Sequence, residues 1–124
     1  MLVLTQYIAK HEFKPLQRFL GINDLSKGAE KVLKGLVPEI RPPQKIPSFK
    51  FFKVRIGKDN NSRMIVFVAT ENRKVVPVLI RLKKDKIFGM NMAMNTPKVV
   101  DQINKNLDHV LEDIEEERYQ EFPS

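Results

Sequence analysis

The 124-residue chain contains no cysteine. A disulfide framework, a thiolate metal site and a thiol nucleophile are therefore excluded, and a reducing cytoplasm is the expected compartment. Glycine is scarce and scattered: Gly21, Gly28, Gly35, Gly57 and Gly89 form no phosphate-cradling loop. No nucleophile elbow is legible either, because Ser26, Ser48, Ser62 and Ser124 have no histidine signal near them. Long apolar runs are missing too. The opening "MLVLTQYIAK" is apolar for only a few residues and lacks a basic region before them, so neither a signal peptide nor a membrane span is expected there.

What is present is a basic, ordinary globular composition. Hydrophobic residues make up 42% and charged residues 30%, enough apolar content for one domain with a real core. The net charge of +7 is unevenly spread. Residues 1–100 hold 20 Lys and Arg against 7 Asp and Glu, or +13, whereas residues 101–124 hold 2 against 8, or −6. A basic body of this kind attracts polyanions, nucleic acid first and acidic proteins second. The run Glu112, Asp113, Glu115, Glu116, Glu117 has no ordered metal-loop pattern and reads as a solvated helix face. No cofactor or metal is expected.

The pattern predicts an α+β fold: a small antiparallel sheet of four to five strands with N-terminal helices and a C-terminal helix packed on it. "LVLTQYI" (2–8) is a first strand. The following stretch to Leu20 suits a helix only if Pro15 lies in its first turn, and Gly21 ends it. Residues 24–36 read as a helix with Asp24 or Ser26 as N-cap, closed by Gly35 and Pro38. The proline-rich "VPEIRPPQKIP" is an extended crossing. Strands follow at 49–56, 63–70 and 75–83, joined by polar turns, and Pro77 requires a bulge, an edge or a late start. "FGMNMAMN" (88–95) is a short extended segment with methionines on the core. Thr96 as N-cap and Pro97 at the first helical position open a last helix with one apolar stripe. Its acidic end sits unfavourably on the helix dipole, so residues 115–124 must fray or meet basic groups.

Period-two alternation puts Lys53 and Arg55 on one face of their strand, and Arg81 and Lys83 on one face of theirs. Arg63 opens the strand between. Five cations can thus converge on one sheet surface, with Lys50, Lys84 and Lys86 as further RNA contacts. RNA cleavage by its own 2′-hydroxyl needs a base, charge stabilisation of the phosphorane and a proton for the leaving oxygen. Among like charges a lysine has its pKa lowered, which suits Lys53 as the base. Arg63 and Arg81 suit bidentate phosphate contact, and Lys83 or Arg55 would add charge stabilisation or the leaving-group proton. His11 and His109 join no such cluster and are expected to be structural or surface residues.

The order strand, helical segment, crossing, then "FFKVRIG…SRMIVFV…VVPVLIRLKKDK" and a final helix resembles the RelE/ParE superfamily of bacterial toxins. Lys53-Val54-Arg55, Arg63 and Arg81-Leu82-Lys83-Lys84 carry the resemblance, which covers residues 49–86 best. It implies a toxin of a type II toxin-antitoxin system, cytoplasmic and restrained by a cognate antitoxin protein. RelE-like members cleave messenger RNA on the ribosome and inhibit translation, whereas ParE-like members poison DNA gyrase without catalysis. The segment after the third strand offers Phe88 and no tyrosine, so both readings stay open, beside that of a non-catalytic basic RNA-binding module. An acidic tail masking the basic surface is a further expectation of the charge split.

Overall fold

The computed structural model describes residues 1–41, 49–69, 71–86, 88 and 96–123. Strand β1 (Leu2–Thr5) runs into a short helix α1 (Gln6–Ile8), which widens into a π turn over Ala9–Phe13 and tightens into a 3-10 turn over Lys14–Leu16. Helix α2 (Ile22–Leu33) and the two-residue strand β2 (Glu39–Ile40) precede β3 (Phe49–Ile56), β4 (Ser62–Ala69) and β5 (Val75–Leu82). Helix α3 (Pro97–Glu115) and strand β6 (Tyr119–Phe122) close the chain.

The six strands form one sheet in the order β2-β3-β4-β5-β1-β6. The fold class is α+β, but the sheet is larger than expected and mixed, because β1 lies parallel to β5 while every other pair is antiparallel. Alternation along a strand specifies its faces and not its neighbours, so a parallel insertion of β1 is invisible to it. The most hydrophobic strand, β4, lies between β3 and β5, with residues 62–67 all buried.

Pro77 is accommodated by a bulge. Ile65 pairs with Leu79 and Val66 with Pro77, so Val78 is the extra residue. Its carbonyl accepts a hydrogen bond from the buried Asn106 amide at 2.8 Å, tying α3 to the bulge. Both sheet faces contribute buried side chains to the core. Phe51, Ile65, Phe67 and Leu79 lie on one, and Val54, Ile56, Met64 and Ile80 on the other. Helix α2 packs on the second face through Gly28, where a Cβ would come within 2.7 Å of Ile56 Cγ2 and 3.0 Å of Met64 Cε.

Helix α2 begins two residues earlier than predicted. Gly21 is its N-cap, and Asp24, at the third helical position, accepts a hydrogen bond from the Gly21 N–H at 2.8 Å. The carboxylate therefore caps from inside the helix. At the other end Gly35 takes φ +73, the Leu36 N–H reaches the Lys31 carbonyl at 3.0 Å, and the Gly35 N–H reaches Val32 at 3.1 Å. This pair of bonds stops the helix and redirects the chain. Thr96 and Pro97 open α3 as expected, although the Thr96 hydroxyl makes no capping bond. The extended segment expected at 88–95 lies outside the described residues apart from Phe88, and most of the proline-rich crossing does as well.

The acidic tail is not frayed. Residues 119–122 form β6 and pair with all of β1, from Leu2↔Phe122 to Thr5↔Tyr119. Arg118 resolves the dipole conflict: its guanidinium meets Asp113 at 2.9 Å and Glu112 at 3.4 Å. Asp113 also accepts the Tyr7 N–H at 2.7 Å, satisfying a backbone donor of α1.

Candidate nucleic-acid interface

Register brings three arginines into one row across the sheet. Arg55 lies opposite Arg63, and Arg63 opposite Arg81. Directly opposed residues share a face, and Lys53, two positions before Arg55, shares it too. Four of the five predicted cations are therefore on one surface, but their environments differ.

Arg81 is neutralised. Its Nε and Nη2 donate to Glu12 Oε1 at 3.1 Å and Oε2 at 2.8 Å, and Phe88 packs 4.3 Å beneath the guanidinium. Burial disfavours the charge, but the Glu12 hydrogen bonds and charge outweigh it and push the Arg81 pKa up. Glu12 itself is 3% exposed. Two donors of Arg81, expected as a phosphate ligand, are thus engaged internally by a carboxylate that no local pattern connects to it. Arg63, 6% exposed, spends Nη1 on the carbonyls of Asn60 at 2.8 Å and Ser62 at 3.1 Å. Burial and then Arg55 hold its pKa below the ordinary arginine value, yet the group stays charged at neutral pH.

Lys53 and Arg55 are the more accessible pair. Lys53 is half-buried and Arg55 exposed. Burial, then Arg63, then Arg55 lower the Lys53 pKa, the direction a general base requires. Both side chains line a groove of about 380 Å³ together with Arg63, Asn60, Lys31, Leu36, Val37 and Pro38.

The groove is an opened β-ladder. Strand β2 pairs Ile40 with Phe51 and Glu39 with Phe52 and goes no further. Continuing that register would set Pro38 opposite Lys53, Val37 opposite Val54 and Leu36 opposite Arg55. Pro38 has no N–H to donate, and the Gly35 turn carries the chain back to α2, so the two backbones part and the groove lies between them.

The remaining predicted contacts lie elsewhere. Lys83 and Lys84 line a separate hollow of about 440 Å³ with Phe19, Asp59, Asn61 and Leu82, and the Lys84 ammonium sits 5.1 Å over the Phe19 ring. Lys50 pairs with Val68 on the face opposite to Lys53 and lines a hollow of about 290 Å³ beside Val32, Leu33 and Arg73. Lys86 is exposed beyond β5. His109 stacks on Tyr7 at a centroid separation of 4.1 Å and His11 lies tilted against it at 4.4 Å, and neither is among the described residues of the groove. Burial and then Glu12 push the Tyr7 hydroxyl pKa up, with Arg81 opposing.

Lys31, Leu36 and Glu12 carry weight that the sequence reading did not assign. Lys31 and Leu36 look like ordinary helix-end residues until β3 packs beside them. Nor does the acidic tail approach the groove. Strands β4, β5 and β1 separate β6 from β3, a distance of roughly 19 Å at about 4.8 Å per strand. No helix among the described residues is long and apolar enough to cross a membrane. Comparison of the chain with family models, curated proteins and solved structures returns no match.

Proposed function

We propose that the chain is an endoribonuclease of the RelE kind, acting on single-stranded RNA in the groove beside β3 and restrained by a partner protein. The observation that carries this reading is Lys53, a lysine of lowered pKa lining an open groove with two arginines of the same sheet face. A neutral Lys53 amine takes the proton of a 2′-hydroxyl, and the freed oxygen attacks the adjacent phosphorus. The P–O2′ bond forms while the P–O5′ bond breaks, leaving a 2′,3′-cyclic phosphate. Arg55 and Arg63 stabilise the negative charge of the phosphorane, and Lys31, the second ammonium among the described residues of the groove, protonates the leaving 5′-oxygen. Metal is not required, since each of these roles has a side chain to fill it.

Incubating purified protein with cellular messages and mapping ends by primer extension tests the proposal. Wild-type protein should cut, and Lys53→Met should abolish cutting while keeping salt-sensitive binding. A second reading, a basic module that binds RNA without cutting it, draws support from the internal engagement of Arg63 and Arg81. Wild-type binding without cleavage would favour that module. Arrest of DNA replication without either effect would favour a ParE-like gyrase inhibitor.

A further inference from the structure

The groove has two chemically different walls. One, from β3 and β4, carries the cations Lys53, Arg55 and Arg63, and the other, from the end of α2 onward, carries Lys31 and the apolar run Leu36, Val37 and Pro38. Leu36 is 70% exposed and leads that run, followed by the half-buried Val37 and the exposed Pro38. A bare phosphate would use only the cations. An apolar ligand would use only the apolar run and none of the cations.

A nucleotide satisfies both, with charge on its phosphate and flat apolar faces on its base. At about 380 Å³ the groove falls within the range of roughly 300–1,000 Å³ typical of small-ligand sites. The apolar wall is also held in place before any ligand arrives. The Leu36 N–H is bonded to Lys31, Gly35 sets the turn, Pro38 fixes its own φ, and Glu39 and Ile40 are locked into β2. A wall already ordered in the free protein loses little entropy on binding.

We infer that the groove seats one nucleotide of a single strand, phosphate against Lys53, Arg55 and Lys31, and base against Leu36–Pro38. The inference rests on the reading of the groove as an RNA site and adds that the segment after α2, rather than the sheet, grips the base. Aliphatic contact is shape-tolerant, so the grip favours unpaired bases over paired ones without reading an edge.

Three probes separate the walls by fluorescence anisotropy or competition: a 2′-O-methyl hexanucleotide, the same strand without bases, and tripolyphosphate. Leu36→Ser should weaken the intact strand about fivefold, the effect of uncovering one partly buried aliphatic side chain, and leave the other two unchanged. Leu36→Phe should tighten the intact strand alone, a gain that misfolding cannot produce. If Leu36 variants change none of the probes, or all three alike, the apolar wall does not hold a base. If Arg55→Ala also leaves all three probes unaffected, the RNA reading of the groove falls and the inference with it. Loss with Arg55→Ala but indifference to Leu36 would overturn only the inference.

Discussion

Glu12 and Arg81 form a bidentate pair across 69 residues of sequence, and Glu12 Oε1 accepts the Ile80 N–H at 2.8 Å as well as Arg81 Nε at 3.1 Å. One carboxylate therefore completes the hydrogen bonding of β5 just where β1 has ended, and cancels the charge of the third arginine in the row. It is an internal fastening of the turn after α1 onto the sheet.

Removing that carboxylate should be costly. Glu12→Gln keeps the shape and an acceptor for Ile80 but leaves Arg81 unpaired, so we expect a loss of about 3 kcal/mol in denaturant unfolding. RNA affinity should not change, because Arg81 does not line the groove. A loss below about 0.5 kcal/mol would mean that the pair behaves like a surface ion pair.

Lys53 should behave in the opposite sense. Its pKa in the fold lies below that in the unfolded chain, so its charge opposes folding throughout neutral pH, and the penalty fades as pH rises from the lowered pKa of the fold to the ordinary lysine value, above which it is gone. Lys53→Met should therefore be slightly more stable at pH 7, by under about 1 kcal/mol since the group is only half-buried, with the gain vanishing at alkaline pH. Cleavage by the wild type should rise with pH and level off below the ordinary lysine pKa. A pH-independent rate would remove Lys53 from the role of base.

Gly28 should not tolerate a side chain. A Cβ there meets Ile56 Cγ2, a branch fixed directly at its own Cβ, at 2.7 Å. Overpacking of roughly 1–3 kcal/mol should exceed the gain in helix propensity of about 1 kcal/mol, making Gly28→Ala a net loss. Thermal unfolding of Gly28→Ala in an Ile56→Ala background should show that the two costs are less than additive.

The charge split suggests an acidic tail lying over the basic surface, but β6 is an edge strand on the far side of the sheet. Ending the chain after Arg118 should leave RNA binding unchanged. It should cost about 2 kcal/mol of stability, because Tyr119 and Phe122 no longer cover β1. Tighter RNA binding by the truncated protein would restore the masking idea.

Much of the local architecture was legible. The turn chemistry around residues 57–61, the ladder irregularity at Pro77 (one of a bulge, an edge or a late start), the central position of β4 and the start of α3 at Thr96-Pro97 all follow from signals a few residues long. The parallel seat of β1 and the existence of β6 were not, since each is a four-residue run whose state depends on a strand it meets only after folding. Lys31 and Leu36 were missed for the same reason: a helix end shows no sign of the strand edge that will face it.

Alternation alone determined that Lys53 and Arg55 look the same way, because side-chain direction in a strand is a property of each residue's own backbone. Only the tertiary structure decided which cations are held internally and which line the groove. That outcome depends on what distant segments bring alongside: Glu12 against Arg81, the Asn60 and Ser62 carbonyls against Arg63, and the parting of β2 from β3 beside Lys53 and Arg55. Neutralisation is a matter of contact through space, and no spacing along the chain encodes it.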